Sequence, residues 1–207
     1  MQGCVRVCVW LTLLCLTSAA AAQESEHFRG TLVAIEGDLV TVADADEEQR
    51  EVRLTETTGL YVVTPAKFAD IEPGQYVGVT SIESQGGRVA LEVHVFAEDL
   101  RGTGEGHFPW DLVKEPNAMT NATIAEIEEV SPVERVLQLT YKDGEGHSSQ
   151  GEQRIRVPDF ADVVLLESAD RSVLVPERPV FMFLQAASSG PPTAVAIAVG
   201  VGVAPPM

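Results

Sequence analysis

Thiols are nearly absent from this chain. Its three cysteines, Cys4, Cys8 and Cys15, all precede residue 16. That stretch reads as a secretory leader over residues 1–22. Arg6 is its only charge, an apolar run follows from Val9 to Leu16, and Ala20-Ala21-Ala22 offers an A-x-A cleavage site before Gln23. With the leader removed, no disulfide, zinc–thiolate site or cysteine nucleophile can form. Long hydrophobic runs are missing as well. The leader's run is shorter than the roughly 20 residues a bilayer requires, and the best later stretch, Thr193 to Ala204, is broken by Gly200 and Gly202. The mature chain is therefore expected to have no membrane span and to be exported, periplasmic or extracellular. Basic residues are scarce: 14 against 31 acidic ones, a formal net charge of -17. Phosphate recognition needs a basic face, so no nucleic-acid partner is expected, and anionic lipid surfaces repel the chain. Convincing amphipathic helices are also lacking. Pro65 to Ile71 suits one helical turn, and Ala122 to Val130 reads better as strand.

What the chain does have is a repeat. Arg29-Gly-Thr-Leu-Val-Ala-Ile-Glu36 is answered by Asn121-Ala-Thr-Ile-Ala-Glu-Ile-Glu128, matching Thr31 with Thr123, Leu32 with Ile124 and Ile35 with Ile127. Period-two segments follow in both copies: Leu39–Val42 and Val136–Tyr141, then Glu51–Leu54 and Gln153–Val157, then Leu60–Val63 and Val163–Leu166. The block Phe68–Val77 corresponds to Arg171–Val180. Its Pro73-Gly74 suits a tight turn, whereas Glu177 replaces the glycine in the second copy, which predicts a different turn there. Closing strands are expected at Tyr76–Ile82 and Arg88–Phe96, and at Val180–Leu184 and Thr193–Val199. Evenly spaced short strands with Gly/Pro turns predict an all-β fold of two tandem small OB-like or SH3-like β-barrels. The expected boundaries are 28–97 for the first barrel, 98–119 for an ordered Gly-rich connecting loop and 120–201 for the second. Phe108 and Trp110 are costly to leave in water, so that loop is expected to dock onto a barrel.

Leu91-Glu-Val-His-Val-Phe96, Arg101-Gly-Thr-Gly-Glu-Gly-His107, Pro109-Trp-Asp111 and Met119-Thr-Asn-Ala-Thr123 together give the chain its resemblance. Over roughly residues 28 to 200 it resembles bacterial exported proteins of unknown function with tandem small OB-like β-barrel domains. That resemblance implies an exported pair of barrels with no established reaction.

His94 is the first candidate for chemistry. Strand alternation puts Val89, Leu91, Val93 and Val95 on one face, with Ala90, Glu92, His94 and Phe96 on the other. If the valines face the core, His94 projects from the barrel beside Glu92, and Ala194, Ala196 and Ala198 are its second-copy counterparts. His107 lies in the connecting loop. Together with carboxylates from Glu92, Glu105 or Asp111, the two imidazoles would suit a divalent transition metal. The plainer alternative is that both histidines hydrogen-bond the loop onto the barrel. Phe108 and Trp110 either line a pocket for a sugar or aromatic ligand or pack the loop. Arg101 either grips an acidic ligand or pairs with Asp99 or Asp111. Gly102-Thr-Gly-Glu-Gly106 lacks the lysine and helix of a phosphate-binding loop, and Gly146-His-Ser-Ser-Gln150 lacks the second glycine of a nucleophile elbow. Asp44 to Thr55 lacks the glycine and final glutamate of a calcium loop. The expected function is thus an exported, non-enzymatic binding or interaction protein, with a divalent metal at the first barrel and central loop. The alternative is a structural adaptor for an envelope protein partner, with no ligand of its own. A metal-dependent hydrolase would need a base, which only the proximity of Glu105 suggests.

Overall fold

The computed structural model describes residues 26–143 and 149–205. The expected leader, residues 1–22, and His147 lie outside the described residues. The described chain is all-β, and its helical content is confined to short 3-10 turns such as Phe68–Asp70, Glu98–Leu100 and Arg171–Val173. The strands of the first half are β1 (Glu26–Glu36), β2 (Leu39–Ala43), β3 (Gln49–Arg53), β4 (Gly59–Pro65), β5 (Tyr76–Ser84), β6 (Gly87–Phe96) and β7 (Gly106–Trp110). Those of the second half are β8 (Asn117–Ser131), β9 (Glu134–Asp143), β10 (Ser149–Pro158), β11 (Asp162–Ser168), β12 (Pro179–Gln185) and β13 (Thr193–Gly200). Twelve of them sit where alternation and turn residues predict. β7 falls in the segment expected to be a loop.

The strands pair into two closed circuits. In the first, β1, β2 and β3 form a meander, β12 pairs with β1, and β13 returns beside β3 through Thr193 and Arg53. In the second, β8, β9 and β10 form the meander, β5 pairs with β8, and β6 closes the ring in parallel beside β10. Each ring thus takes its meander from one repeat and its closing hairpin from the other. This corrects the expected grouping of residues 28–97 and 120–201 as separate units joined by a loop at 98–119. The physical cause lies in β4 and β11. They do not stay in their own ring but pair antiparallel with each other, β4 running beside β13 and β11 beside β6. Each carries the chain across to the other ring, so the following hairpin completes its neighbour. The result is an exchange of identical elements within one chain.

The repeat is visible as a pseudo-two-fold. Val63 on β4 pairs with Leu166 on β11, its own counterpart. β-Bulges recur at matching positions, Val33 and Ala125 in the opening strands, Leu91 and Val195 in the closing ones. The two turns also match. Gly74 has φ 85° and Glu177 φ 69°. Gly74 N–H donates to Ile124 O at 2.8 Å, and Glu177 N–H to Leu32 O at 2.7 Å. The turn expected to differ in the second copy is therefore the same one, with a glutamate held in the left-handed region.

Each ring encloses its own core. Leu32, Val42, Val180, Met182 and Ile197 fill the first, and Val77, Val93, Ile124, Leu137 and Ile155 the second. A third cluster lies between the rings, around Val63, Tyr76, Phe96, Leu166 and Phe181. The bulge at Leu91 alters the predicted faces, because an extra residue reverses alternation on one side of it. Ala90 joins Val93 and Val95 in the core, while Glu92, His94 and Phe96 face the layer between the rings. Val195 does the same on β13, turning Ala194 inward and Ala198 into that layer.

Candidate functional site

His94 does point out of its ring, but not into water. It is 2% exposed, and the adjacent Glu92 is 1% exposed. The opposite ring faces His94, leaving between the two rings a cavity of about 240 Å³. One wall carries His94 and Phe96 from β6 with Met119 and Asn121 from β8. The other carries Phe181 and Phe183 from β12 with Ala196 and Ala198 from β13. Phe108 and Trp110 from β7 also line it.

The two walls occupy equivalent positions and solve the same packing problem oppositely. Gly78 pairs with His94 and Thr80 with Glu92 on one side. Phe181 pairs with Ala198 and Phe183 with Ala196 on the other. The side with small strand partners bears the polar groups, and the side with alanines bears the rings. Gly78 is required for closeness rather than for its backbone angle. A Cβ there would come within 2.7 Å of Asn121 Oδ1 and 3.5 Å of His94 Nδ1. Across the cavity, Phe181 and Phe183 meet edge to face, with centroids 5.0 Å apart and planes at 88°.

The polar atoms of this layer are incompletely paired. Glu92 Oε1 accepts from Thr80 Oγ1 at 2.7 Å and lies 3.1 Å from His94 Nε2. Its other oxygen, Oε2, is buried without a hydrogen-bond partner. Asn121 Nδ2 donates to Gly104 O at 3.0 Å, which fixes the amide orientation and leaves Oδ1 facing inward with no donor. The indole N–H of Trp110 is likewise buried with no acceptor. Buried polar atoms are normally paired, because an unmade hydrogen bond costs about 1–3 kcal/mol. Two of these atoms, Asn121 Oδ1 and Trp110 Nε1, belong to residues that line the cavity, and the third, Glu92 Oε2, is buried behind the lining residue His94. Nearby, Tyr76 OH donates to Thr103 O at 3.0 Å. Burial, reinforced by the charge of Glu105, pushes the phenol well above its ordinary range, so it stays a donor.

The segment 98–111 straps the rings together. β7 pairs with β8 of one ring, while Trp110 packs 4.6 Å from the His27 ring of the other. Asp111 accepts from Arg29 at 2.7 Å and lies 3.0 Å from His27 Nδ1. Burial alone would raise the Asp111 carboxyl, but the hydrogen bonds from Arg29 and His27 outweigh it and hold the group below its usual range. Arg101 grips neither Asp99 nor Asp111. It donates to both oxygens of Glu98 and to Gly74 O, tying the strap to the turn.

The proposed metal ligands are not brought together. His94, Gly78, Asn121 and Gly106 form one cross-strand row. His107 follows Gly106, so it lies on the opposite face of the sheet, three strands and roughly 14 Å of backbone away. There its Nδ1 lies 2.8 Å from Thr120 Oγ1, which is the structural role considered for it. Glu105 accepts the Lys142 N–H instead, and Asp111 is engaged as described above. Among the described residues no three His, Cys, Asp or Glu side chains are grouped to hold a metal ion. The structure therefore does not bring His94, His107, Glu92, Glu105 and Asp111 together into the expected metal site. Gly78, Asn121, Phe181 and Phe183 were not singled out from sequence. Aligning the closing hairpins of the two repeats, which sets Gly78 against Phe181 and Thr80 against Phe183, was the signal that would have found the two walls. No protein-family model, curated protein or solved structure matches this chain.

Proposed function

We propose that this chain is an exported, non-enzymatic binding module that holds a small, largely apolar ligand between two OB-like rings. The observation that carries the reading is the 240 Å³ inter-ring cavity, walled by rings and alanines yet edged by unpaired buried polar atoms. A dry cavity of about 150 Å³ accepts benzene, so this one suits a guest of about ten non-hydrogen atoms. The OB-like description is supported by the ring order, a three-stranded meander closed by a hairpin whose last strand runs parallel to the third. Export is supported by the leader pattern and tested by N-terminal sequencing of secreted protein, which should begin at Gln23.

Trp110 is the only tryptophan outside the leader, so its fluorescence reports occupancy directly. Titration with indole-sized aromatic probes should give a saturable change. Ala198→Phe, which fills the cavity from the wall opposite His94, should abolish it. Saturation that survives Ala198→Phe, or none in the parent chain, rejects the reading. The adaptor reading is favoured by a separate feature. Phe160 is 81% exposed beside Val133, which is 54% exposed, the Asp159 N–H bonding to Val133 O at 2.9 Å. Photo-crosslinking from position 160 in intact cells should capture an envelope protein if that tip is a contact.

A further inference from the structure

We propose that the guest of the inter-ring cavity is an organic ammonium ion: an amine on a compact aromatic or short aliphatic body. This deepens the ligand-binding reading above and rests on it. The first argument is donor bookkeeping. Two donors reach the polar wall, the Thr80 hydroxyl and the His94 imidazole, and both converge on Glu92 Oε1; the unpaired indole N–H of Trp110 comes from β7 instead. Asn121 Oδ1, on the cavity wall, and Glu92 Oε2, on a side chain 1% exposed that sits behind the lining residue His94, are left with none. Two unpaired acceptors, one of them on a carboxylate, call for N–H donors that carry positive charge.

The second argument is the opposite wall. Phe181, Phe183, Trp110 and Phe108 present ring faces and edges at varied angles, and cations are drawn to aromatic faces through the ring quadrupole. This cluster already receives one cation. The Arg29 guanidinium lies 4.9 Å over the Phe181 ring, and its charge is offset by Asp111 at 2.7 Å rather than left to oppose a second cation. The third argument acts at a distance. A net charge of -17 concentrates cations around the protein and depletes anions. A neutral hydrocarbon would fit the cavity but leave both acceptors unmet, and a carboxylate would meet a buried carboxylate.

The test is isothermal titration of the mature chain with three probes of similar size: 2-phenylethylamine, propylbenzene and phenylacetate. The amine should bind about tenfold tighter than propylbenzene, in line with a partly desolvated cation–π contact plus a charged hydrogen bond. Phenylacetate should not bind. Glu92→Gln keeps an acceptor for Thr80 and His94 but removes the charge. It should bring the amine within about twofold of propylbenzene while propylbenzene itself is unchanged. Asn121→Ala, a milder change, should cost the amine more than the hydrocarbon. Equal binding of amine and propylbenzene to the parent chain overturns the ammonium assignment while leaving the cavity reading standing. So does an amine preference that persists in both variants. Binding by none of the three probes overturns both.

Discussion

Glu177 offers a direct test of the pseudo-two-fold, because one turn is built from two different residues. Its φ of 69° matches the 85° of Gly74, and both N–H groups donate to the opening strand of the other repeat. A side chain in the left-handed region costs about 1–2 kcal/mol relative to glycine. Glycine in turn gives the unfolded chain extra freedom, which costs about 0.5–1 kcal/mol on folding. Glu177 is exposed, so trimming it removes no packing. Glu177→Gly should therefore stabilise the protein by about 0.5–1 kcal/mol.

The reciprocal change should do the reverse. A Cβ at Gly74 would meet nothing within 4 Å, so Gly74→Ala is opposed by torsion alone and should destabilise by about 1 kcal/mol. In a chain of this size each kcal/mol shifts the melting midpoint by about 2–4 °C. Urea melts of the parent and both variants, compared at equal slope, are sufficient. Opposite shifts of similar size support equivalence of the turns. If Glu177→Gly is neutral or destabilising while Gly74→Ala costs nothing, the backbone reasoning fails.

Other outcomes follow from the same structure. Phe181 is 1% exposed at the junction of cavity and inter-ring core, so Phe181→Ala should cost about 3–5 kcal/mol and admit larger guests, as read by melts and by titration with bicyclic amines. Asp111 has a folded-state pKa below its unfolded value, so its contribution is complete above about pH 4 and is lost as pH falls through the depressed value. Asp111→Asn should therefore lower the melting midpoint at neutral pH and converge with the parent in acid, and a constant difference across pH would refute this. Because each ring is completed by the other repeat, unfolding should be one transition by circular dichroism and Trp110 fluorescence alike. A fragment of residues 26–97 should stay unfolded alone and gain β-structure on mixing with 98–205.

Twelve strands were legible in the sequence because alternation, β-branched residues and Gly/Pro turns are local signals. Partner choice was not, since a closing hairpin reads identically whether it completes its own meander or the other's. The patterns of Val180–Leu184 and Tyr76–Ile82 are equally suited to either ring. The deciding event, β4 pairing with β11 across the pseudo-two-fold, is a tertiary contact without a local mark. The faces of β6 were half legible. Glu92, His94 and Phe96 were placed together correctly, but the bulge at Leu91 moved Ala90 to the core. His94 and His107 do not meet because the segment expected to be a loop forms the strand β7. Once Gly106 pairs with Asn121, alternation sends His107 to the other face.

The unequal walls also bear on why the polar groups are there at all. At positions equivalent to Thr80, Glu92, Gly78 and His94, the second repeat packs Phe183, Ala196, Phe181 and Ala198. The same fold therefore contains a working apolar solution to the same packing problem. Burying an ion-pairable Glu–His couple is seldom more stabilising than such a solution, since desolvation offsets the attraction, and leaving Glu92 Oε2 unmet adds a further cost. Stability alone would favour two aromatic–alanine walls closing the layer completely. With rings on both sides the cavity would fill, and with polar groups on both sides two carboxylates would be buried in the same layer. One wall of each kind leaves an opening that is apolar in body and polar at His94 and Asn121, with Glu92 buried behind that polar edge, the combination proposed above to favour a compact cation over its neutral analogue.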